Sequence, residues 1–208
     1  AMTNSSGGAL TITKDSSSPV ADLVVGNTPV GSPVTLTIFR LASSNVENLD
    51  VDDVTLQVTA GTAVNTFYFY NGSALLGTVA GGTTPKLVLA DGTLTVPANG
   101  YAKLTVKATL LPVDGSVVTN GTDLTANLMA TASVNTTGLG SGSQVTSLAQ
   151  TAIGNTMTIV KAKPAVALAS TSPTGTLFPS TAEQLAIFNV TATGDDDVTF
   201  SSGDTNLF

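Results

Sequence analysis

The segment Tyr101–Leu110, YAKLTVKATL, sets the fold class almost alone. Leu104 and Val106 fall on one side of an extended chain, and Lys103, Thr105 and Lys107 on the other. A period of two suits a strand with one buried face. The segment from Asp123 to Val134 alternates in the same way, with Leu124, Ala126, Leu128 and Ala130 on one face. No stretch carries a sustained helical repeat with caps at its ends.

Turn chemistry agrees with the alternation. FYFYNGSALLGTV sets Asn71-Gly72 between two apolar runs, and KLVLADGTLTV repeats the device with Asp91-Gly92. VPANGYAKL places Asn99-Gly100 just after Pro97. Such dipeptides readily take the positive φ angles of a type I′ hairpin turn. Short strands joined by such turns predict two packed sheets. The lack of Cys and Trp excludes an antibody-type core with a disulfide against a buried Trp, but not an Ig-like topology. GLGSGS, Gly138 to Ser143, is expected to be an exposed, flexible loop.

The polarity of the chain comes from hydroxyls and amides. Charged residues make up 10%, against about 25% in ordinary soluble domains. The net charge of −7 argues against nucleic acid as a partner, because phosphate neutralisation needs a basic surface. It disfavours an anionic membrane surface for the same reason. No apolar run approaches the roughly 20 residues of a membrane-spanning helix, so no membrane insertion is expected. No apolar signal core precedes Gly8, and we expect an export signal to have been removed or to lie outside this sequence. Absent cysteine, few lysines and abundant Thr, Ser, Asn and Gly predict an extracellular or cell-surface location in a prokaryote.

Three blocks recur in the same order. LTIFRLAS (Leu36–Ser43) resembles LAIFNVTA (Leu185–Ala192), DDVTL (Asp52–Leu56) resembles DDVTF (Asp196–Phe200), and LTITK (Leu10–Lys14) resembles MTIVK (Met157–Lys161). The spacing is roughly 147 residues, a repeat by internal self-similarity. We therefore expect an all-β chain: an Ig-like antiparallel β-sandwich over residues 9–160, followed over residues 161–208 by the opening strands of a second similar repeat. A fragment of about 50 residues cannot bury both faces of its own sheet. Its strands are expected to belong to an array continuing past residue 208, or to pair with the first domain or with a neighbouring molecule.

These elements resemble the Ig-like repeat domains of large bacterial and archaeal surface proteins of S-layer or adhesin-stalk type. The residues that carry the resemblance are LTIFRLAS and LAIFNVTA, the DDVTL segment, the hairpin FYFYNGSALLGTV, and LTVPANGYAKLTVKATL (Leu94–Leu110). The resemblance implies a β-sandwich module of an extracellular array with a structural or interaction role.

Catalytic chemistry finds little footing. Without His or Cys, Ser-His-Asp and Cys-His nucleophiles and His-bound zinc are excluded. Paired carboxylates could serve glycoside hydrolysis, but the aromatic sugar platforms that usually accompany them are scarce. The expected function is non-enzymatic: a structural module whose partners are neighbouring repeats or subunits of the same protein. One alternative is an adhesin or carbohydrate-binding module that holds a surface glycan through Tyr68 and Tyr70, which share one face of their strand. Another is a filament or virion subunit that assembles by strand exchange through residues 162–208. Calcium is the one cofactor considered. Asp50, Asp52 and Asp53 in NVENLDVDDV, and Asp195, Asp196 and Asp197 in TGDDDV, supply the oxygen ligands that this ion takes, though neither segment has EF-hand spacing. Each is otherwise an acidic turn leading into a strand.

Overall fold

The structure, a computed structural model, describes residues 8–26, 30–129, 133–146, 151–175 and 184–199. Among these residues the chain is all-β apart from one 3-10 turn at Gly61–Ala63. The strands run in order β1 (Leu10–Lys14), β2 (Asp22–Val25), β3 (Val34–Ser43), β4 (Leu49–Thr55), β5 (Gln57–Thr59), β6 (Val64–Asn71), β7 (Ala74–Ala80), β8 (Lys86–Val88) and β9 (Thr95–Val96). They continue with β10 (Tyr101–Leu110), β11 (Thr122–Leu128), β12 (Val134–Gly138), β13 (Gln144–Thr146), β14 (Ala152–Ile153), β15 (Met157–Val160), β16 (Ala162–Leu168) and β17 (Phe188–Gly194).

One layer is an antiparallel sheet of order β1-β3-β10-β6-β7. The alternation of Tyr101–Leu110 makes β10 its centre: Ala102, Leu104, Val106 and Ala108 are buried, between Phe39 and Leu41 of β3 and Phe67 and Phe69 of β6. The facing layer has two sheets, β14-β11-β15-β2 with β5 on β11, and β13-β12-β4-β8 with β9 on β4. Strands β4 and β5 are separated only by Leu56, which is fully buried. The same stretch of chain thus passes from one sheet of this layer into the other. The layers close on one apolar core that includes Leu10, Ile12, Leu49, Val54, Leu124, Leu128, Met157 and Ile159. This is a sandwich of mostly antiparallel sheets. The exception is β15, which lies parallel to β2 while running antiparallel to β11.

Several expectations needed revision. The β6–β7 hairpin exists, but Asn71 pairs with Ala74, so the two-residue turn is Gly72-Ser73. Only Gly72 has a positive φ there, +58°, which is the type II′ pattern with Gly at the first central position. Leu36 and Phe39 are both buried, although simple alternation would bury one. The reason is the register shift at Val106/Lys107, which skips Leu36 and leaves Leu36 and Thr37 both facing inward. GLGSGS is largely exposed, as expected; it forms the turn of the β12–β13 hairpin, closed by a Gly138 N–H to Ser143 carbonyl bond of 2.9 Å. Ala130 lies outside the described residues.

The repeat also takes a different form. Met157–Val160, matched in sequence to Leu10–Lys14, is a strand of the first sandwich, held between β11 and β2. The partner of the second LxIF segment is β16. Phe188–Gly194 pairs antiparallel with Ala162–Leu168 as a two-stranded ribbon. Its register copies that of β1 on β3. Leu10 lies opposite Ser43, Ile12 opposite Leu41 and Lys14 opposite Phe39. In the ribbon Pro164 lies opposite Ala192, Val166 opposite Val190 and Leu168 opposite Phe188.

Candidate functional site

The acidic segment of the first copy lies in a strand, not in a turn. Asp50, Asp52 and Asp53 belong to β4, whose register against β12 shifts between Asn135 and Thr136. Asp52 is left unpaired there, between Asp53 and Val51. Each carboxylate meets different protein groups. Asp53 takes an ion pair from Lys86 at 3.1 Å and a hydrogen bond from the Asn135 amide at 2.9 Å. The Thr137 hydroxyl donates to Asp52 at 2.9 Å. Asp50 is only 4% exposed, and its Oδ2 accepts the Gly92 N–H at 2.7 Å, from the Asp91-Gly92 turn. Its Oδ1 is buried with no hydrogen-bond partner.

The second acidic segment follows β17. Asp196 pairs with Lys161 at 3.1 Å and accepts the Asp197 N–H at 2.9 Å. First that backbone donor and then the Lys161 ammonium lower the Asp196 pKa. The Asp195 N–H donates to the Lys161 carbonyl at 3.0 Å. Phe200, the last residue of the DDVTF match, lies outside the described residues. No group of three or more His, Cys, Asp or Glu side chains suited to a metal ion occurs among the described residues.

Tyr68 and Tyr70 lie half-buried on the outer face of the five-stranded sheet, while Phe67 and Phe69 fill the core. The third tyrosine, Tyr101, joins them on that face. The Arg40 guanidinium stacks over Tyr101 at 4.0 Å, and the Lys107 ammonium lies over Tyr70 at 4.9 Å. Both contacts lie within the range of cation–π attraction. Tyr70 and Tyr101 are thus braced by cations from the neighbouring strands. An open groove lies beside β2, lined by Val24, Val34 and Met157 together with Asp22 and Lys163. Those two charged residues face each other at 3.4 Å.

Two further carboxylates have tightly built surroundings: Glu47, within NVENLDVDDV, and Asp15. Glu47 accepts the N–H groups of Gly8 at 3.1 Å, Gly140 at 2.9 Å and Ser141 at 2.8 Å, and the Ser141 hydroxyl at 2.9 Å. It therefore ties the start of β1 to the β12–β13 turn. These donors, Gly8 foremost, hold its pKa at about 2. A side chain at Gly138 would meet this carboxylate, so Glu47 would have to shift away from its donors. Asp15 accepts the Ser17 hydroxyl, the Lys103 ammonium at 2.9 Å and the Ser17 N–H at 2.9 Å. Those contacts, the Ser17 hydroxyl first, hold Asp15 at about 2.

A third device occurs twice. After β1 the Ser18 hydroxyl accepts the Ile38 N–H at 3.0 Å, the Asp15 N–H donates to the Ile38 carbonyl at 2.8 Å, and the Ser18 N–H donates to the Asp15 carbonyl at 3.0 Å. After β16 the Ser172 hydroxyl accepts the Ile187 N–H at 3.1 Å, the Ala169 N–H donates to the Ile187 carbonyl at 2.8 Å, and the Ser172 N–H donates to the Ala169 carbonyl at 2.9 Å. The sequence signal is Ser-Pro, at Ser18-Pro19 and again at Ser172-Pro173.

No protein-family model matches the chain, and no curated protein matches it. Among solved structures, one similar chain is a family 123 glycoside hydrolase from Clostridium perfringens, at 9% identity and a TM-score of 0.29, covering 74% of this chain and 27% of that one. Another is ACE19, the collagen-binding subdomain of the Enterococcus faecalis surface protein ACE, at 10% identity and a TM-score of 0.20, covering 65% of this chain and 93% of that one. The chain spans about a quarter of the length of the hydrolase. Likenesses this weak carry no argument about function, and the fold class rests on the sheets themselves.

Proposed function

We propose that this protein is a non-enzymatic structural module of an extracellular surface protein, built from tandem β-sandwich repeats. One observation carries the reading: the opening of the sandwich is built twice, with the same register and the same serine latch. Duplication of a structural opening suits an array, in which each repeat borrows stability from its neighbours. The few charges and the absence of His and Cys fit a scaffold better than a reaction centre. Neighbouring repeats or subunits are then the natural partners.

Protease treatment of intact cells tests the reading. Peptides of this chain should be released before any cytosolic marker; recovery only after lysis would overturn the surface assignment. The tyrosine face favours a second reading, a glycan-binding module. A glycan array separates the two: a signal lost on Tyr68→Ala or Tyr70→Ala would put binding in place of scaffolding.

A further inference from the structure

We propose that the outer face of the five-stranded sheet holds an anionic glycan, a sugar chain bearing uronate carboxylates, and that Arg40 and Lys107 select it. The inference rests on the tyrosine-face reading above and names the class of ligand that the face takes. The chain carries 14 acidic residues against 7 basic ones, so a cation without a carboxylate partner is unexpected. Lys86, Lys103, Lys161 and Lys163 each pair with an aspartate, and Lys14 donates to the Asn155 amide oxygen at 2.6 Å. Arg40 and Lys107 have neither kind of partner among the described residues. Both lie on this one face, and each covers a tyrosine ring instead.

The sheet segregates charge. Strands β1, β3, β6, β7 and β10 contain Lys14, Arg40, Lys103 and Lys107 and not one Asp or Glu. Arg40 lies directly opposite Lys103, and like charges so placed weaken a sheet. Asp15, just past β1, relieves Lys103 at 2.9 Å. No carboxylate relieves Arg40, whose guanidinium lies 4.0 Å from the centre of the Tyr101 ring. A guanidinium held on a ring keeps its fork of N–H groups for a planar carboxylate, which it can bind with two hydrogen bonds. Lys107, over Tyr70, supplies a second positive point. Thr105 lies opposite Tyr70 and Lys107 opposite Tyr68, so hydroxyl groups that suit sugar hydroxyls share the face with the two cations.

Other anionic occupants fit less well. A peptide docks on a sheet by adding a strand to an edge, but β3, β10 and β6 are each paired on both sides, so this face offers side chains alone. A second copy of the chain would have to bring free carboxylates. Its Asp15, Asp22, Asp53 and Asp196 are already paired with lysines, and Glu47 is held by three N–H groups and a hydroxyl. The net charge of −7 also sets two copies against each other. A uronate chain brings carboxylates for the cations and hydroxyls for the Thr and Tyr groups between them.

The test uses the full-length chain and calorimetry at low salt, with two matched sets of probes. One set is oligogalacturonate and hyaluronan fragments, and the other is the same sugars with every carboxylate methyl-esterified. The acidic set should bind at least tenfold more tightly than the esterified set, and added salt should weaken it. Arg40→Gln and Lys107→Gln should each weaken that binding at least tenfold, a retained cooperative melt confirming the fold. Lys86→Gln removes the same charge from the facing layer and should leave the affinity within twofold. Equal binding of the two sets keeps the tyrosine-face reading and overturns this one. Silence from both sets overturns the inference, while binding of an uncharged glycan is read separately on the glycan array. Equal affinity for a polyglutamate peptide, or self-association that Arg40→Gln abolishes, overturns it too, by giving the face to a protein partner.

Discussion

β1 on β3 and β16 on β17 are the same piece of architecture in two settings. The pairing register is shared, and so are the latch serine and the three hydrogen bonds around it. The surroundings are not. Ile12, Leu36, Phe39 and Leu41 are buried under a second layer, while Val166, Leu185, Phe188 and Val190 face outward. The difference separates two contributions usually measured together. Local pairing and latching are enough to specify the ribbon, whereas the bulk of the stability comes from the facing layer, at roughly 1.5–3 kcal/mol for each large apolar side chain buried.

The sharpest way to break this comparison is at the paired phenylalanines. Phe39→Ala removes a fully buried ring, and urea denaturation should show a loss of about 3–5 kcal/mol. Phe188→Ala, at the equivalent position, should change stability by less than about 0.5 kcal/mol, as exposed substitutions do. Similar losses at both positions would mean that the ribbon is already covered and that the two settings are alike.

Next in size is the serine latch. Ser18→Ala leaves the Ile38 N–H without its acceptor inside the sandwich and also removes a contact of 3.2 Å to the Thr37 hydroxyl. The expected cost is about 1 kcal/mol of global stability. Ser172→Ala should leave the unfolding midpoint unchanged and speed only the amide exchange of Ile187. A global effect from Ser172→Ala would show that the ribbon and the sandwich unfold as one unit.

The sequence carried much of this architecture and hid its second half. Alternation placed Leu104, Val106, Leu124 and Leu128 in the core, because a half-buried strand leaves a period of two wherever its partners are regular. It failed at Leu36 because a register shift is a property of two strands and leaves no mark in one. The match of LTITK to MTIVK does not carry over into the structure, for a related reason. LTITK and MTIVK share letters because both are strands with one buried face, but only pairing distinguishes an opening strand from a closing one. Ser18-Pro19 and Ser172-Pro173 were the better landmark, since each reflects a specific hydrogen bond. The acidic residues were legible as a cluster but not as partners. Nothing in NVENLDVDDV announces that Glu47 reaches the turn at Gly140 and Ser141, far along the chain.

Acid should expose the carboxylates that only the first setting possesses. Asp15 and Glu47 both fall to about 2 in the folded chain, from 3.8 and 4.5. A depressed carboxylate stabilises the fold fully above its unfolded value, and that contribution is lost as pH falls toward the folded value. The melting temperature should therefore hold steady from pH 7 to about 5 and fall between about 4.5 and 2. Glu47→Gln and Asp15→Asn should each lower it at neutral pH and flatten its fall in acid. The ribbon has Ala169 where Asp15 stands, so its pairing gains nothing from that position at any pH. Equal acid slopes in wild type and both variants would remove these two carboxylates from the account.

The smallest effect is expected from calcium. In β4, Asp53 is satisfied by Lys86 and Asn135, and Asp52 by Thr137. Beside the ribbon, Asp196 is engaged by Lys161 and by the Asp197 N–H. An ion needing six to eight oxygens would have to displace these contacts, and Asp53 and Asp196 would lose the lysines that now pair with them; Asp50 alone keeps a buried oxygen with no hydrogen-bond partner among the described residues. Melting in millimolar calcium and in chelator should therefore agree to within about 1 °C, because a ligand stabilises a fold only in so far as it binds the native state. A rise of several degrees would reverse this expectation. Repeating the titration with Asp52→Asn and with Asp196→Asn would then show which copy holds the ion. A site confined to one copy would add a charge difference to the burial difference that already separates them, whereas a site in both would make the acidic segments, like the latch, a part that the duplication preserved.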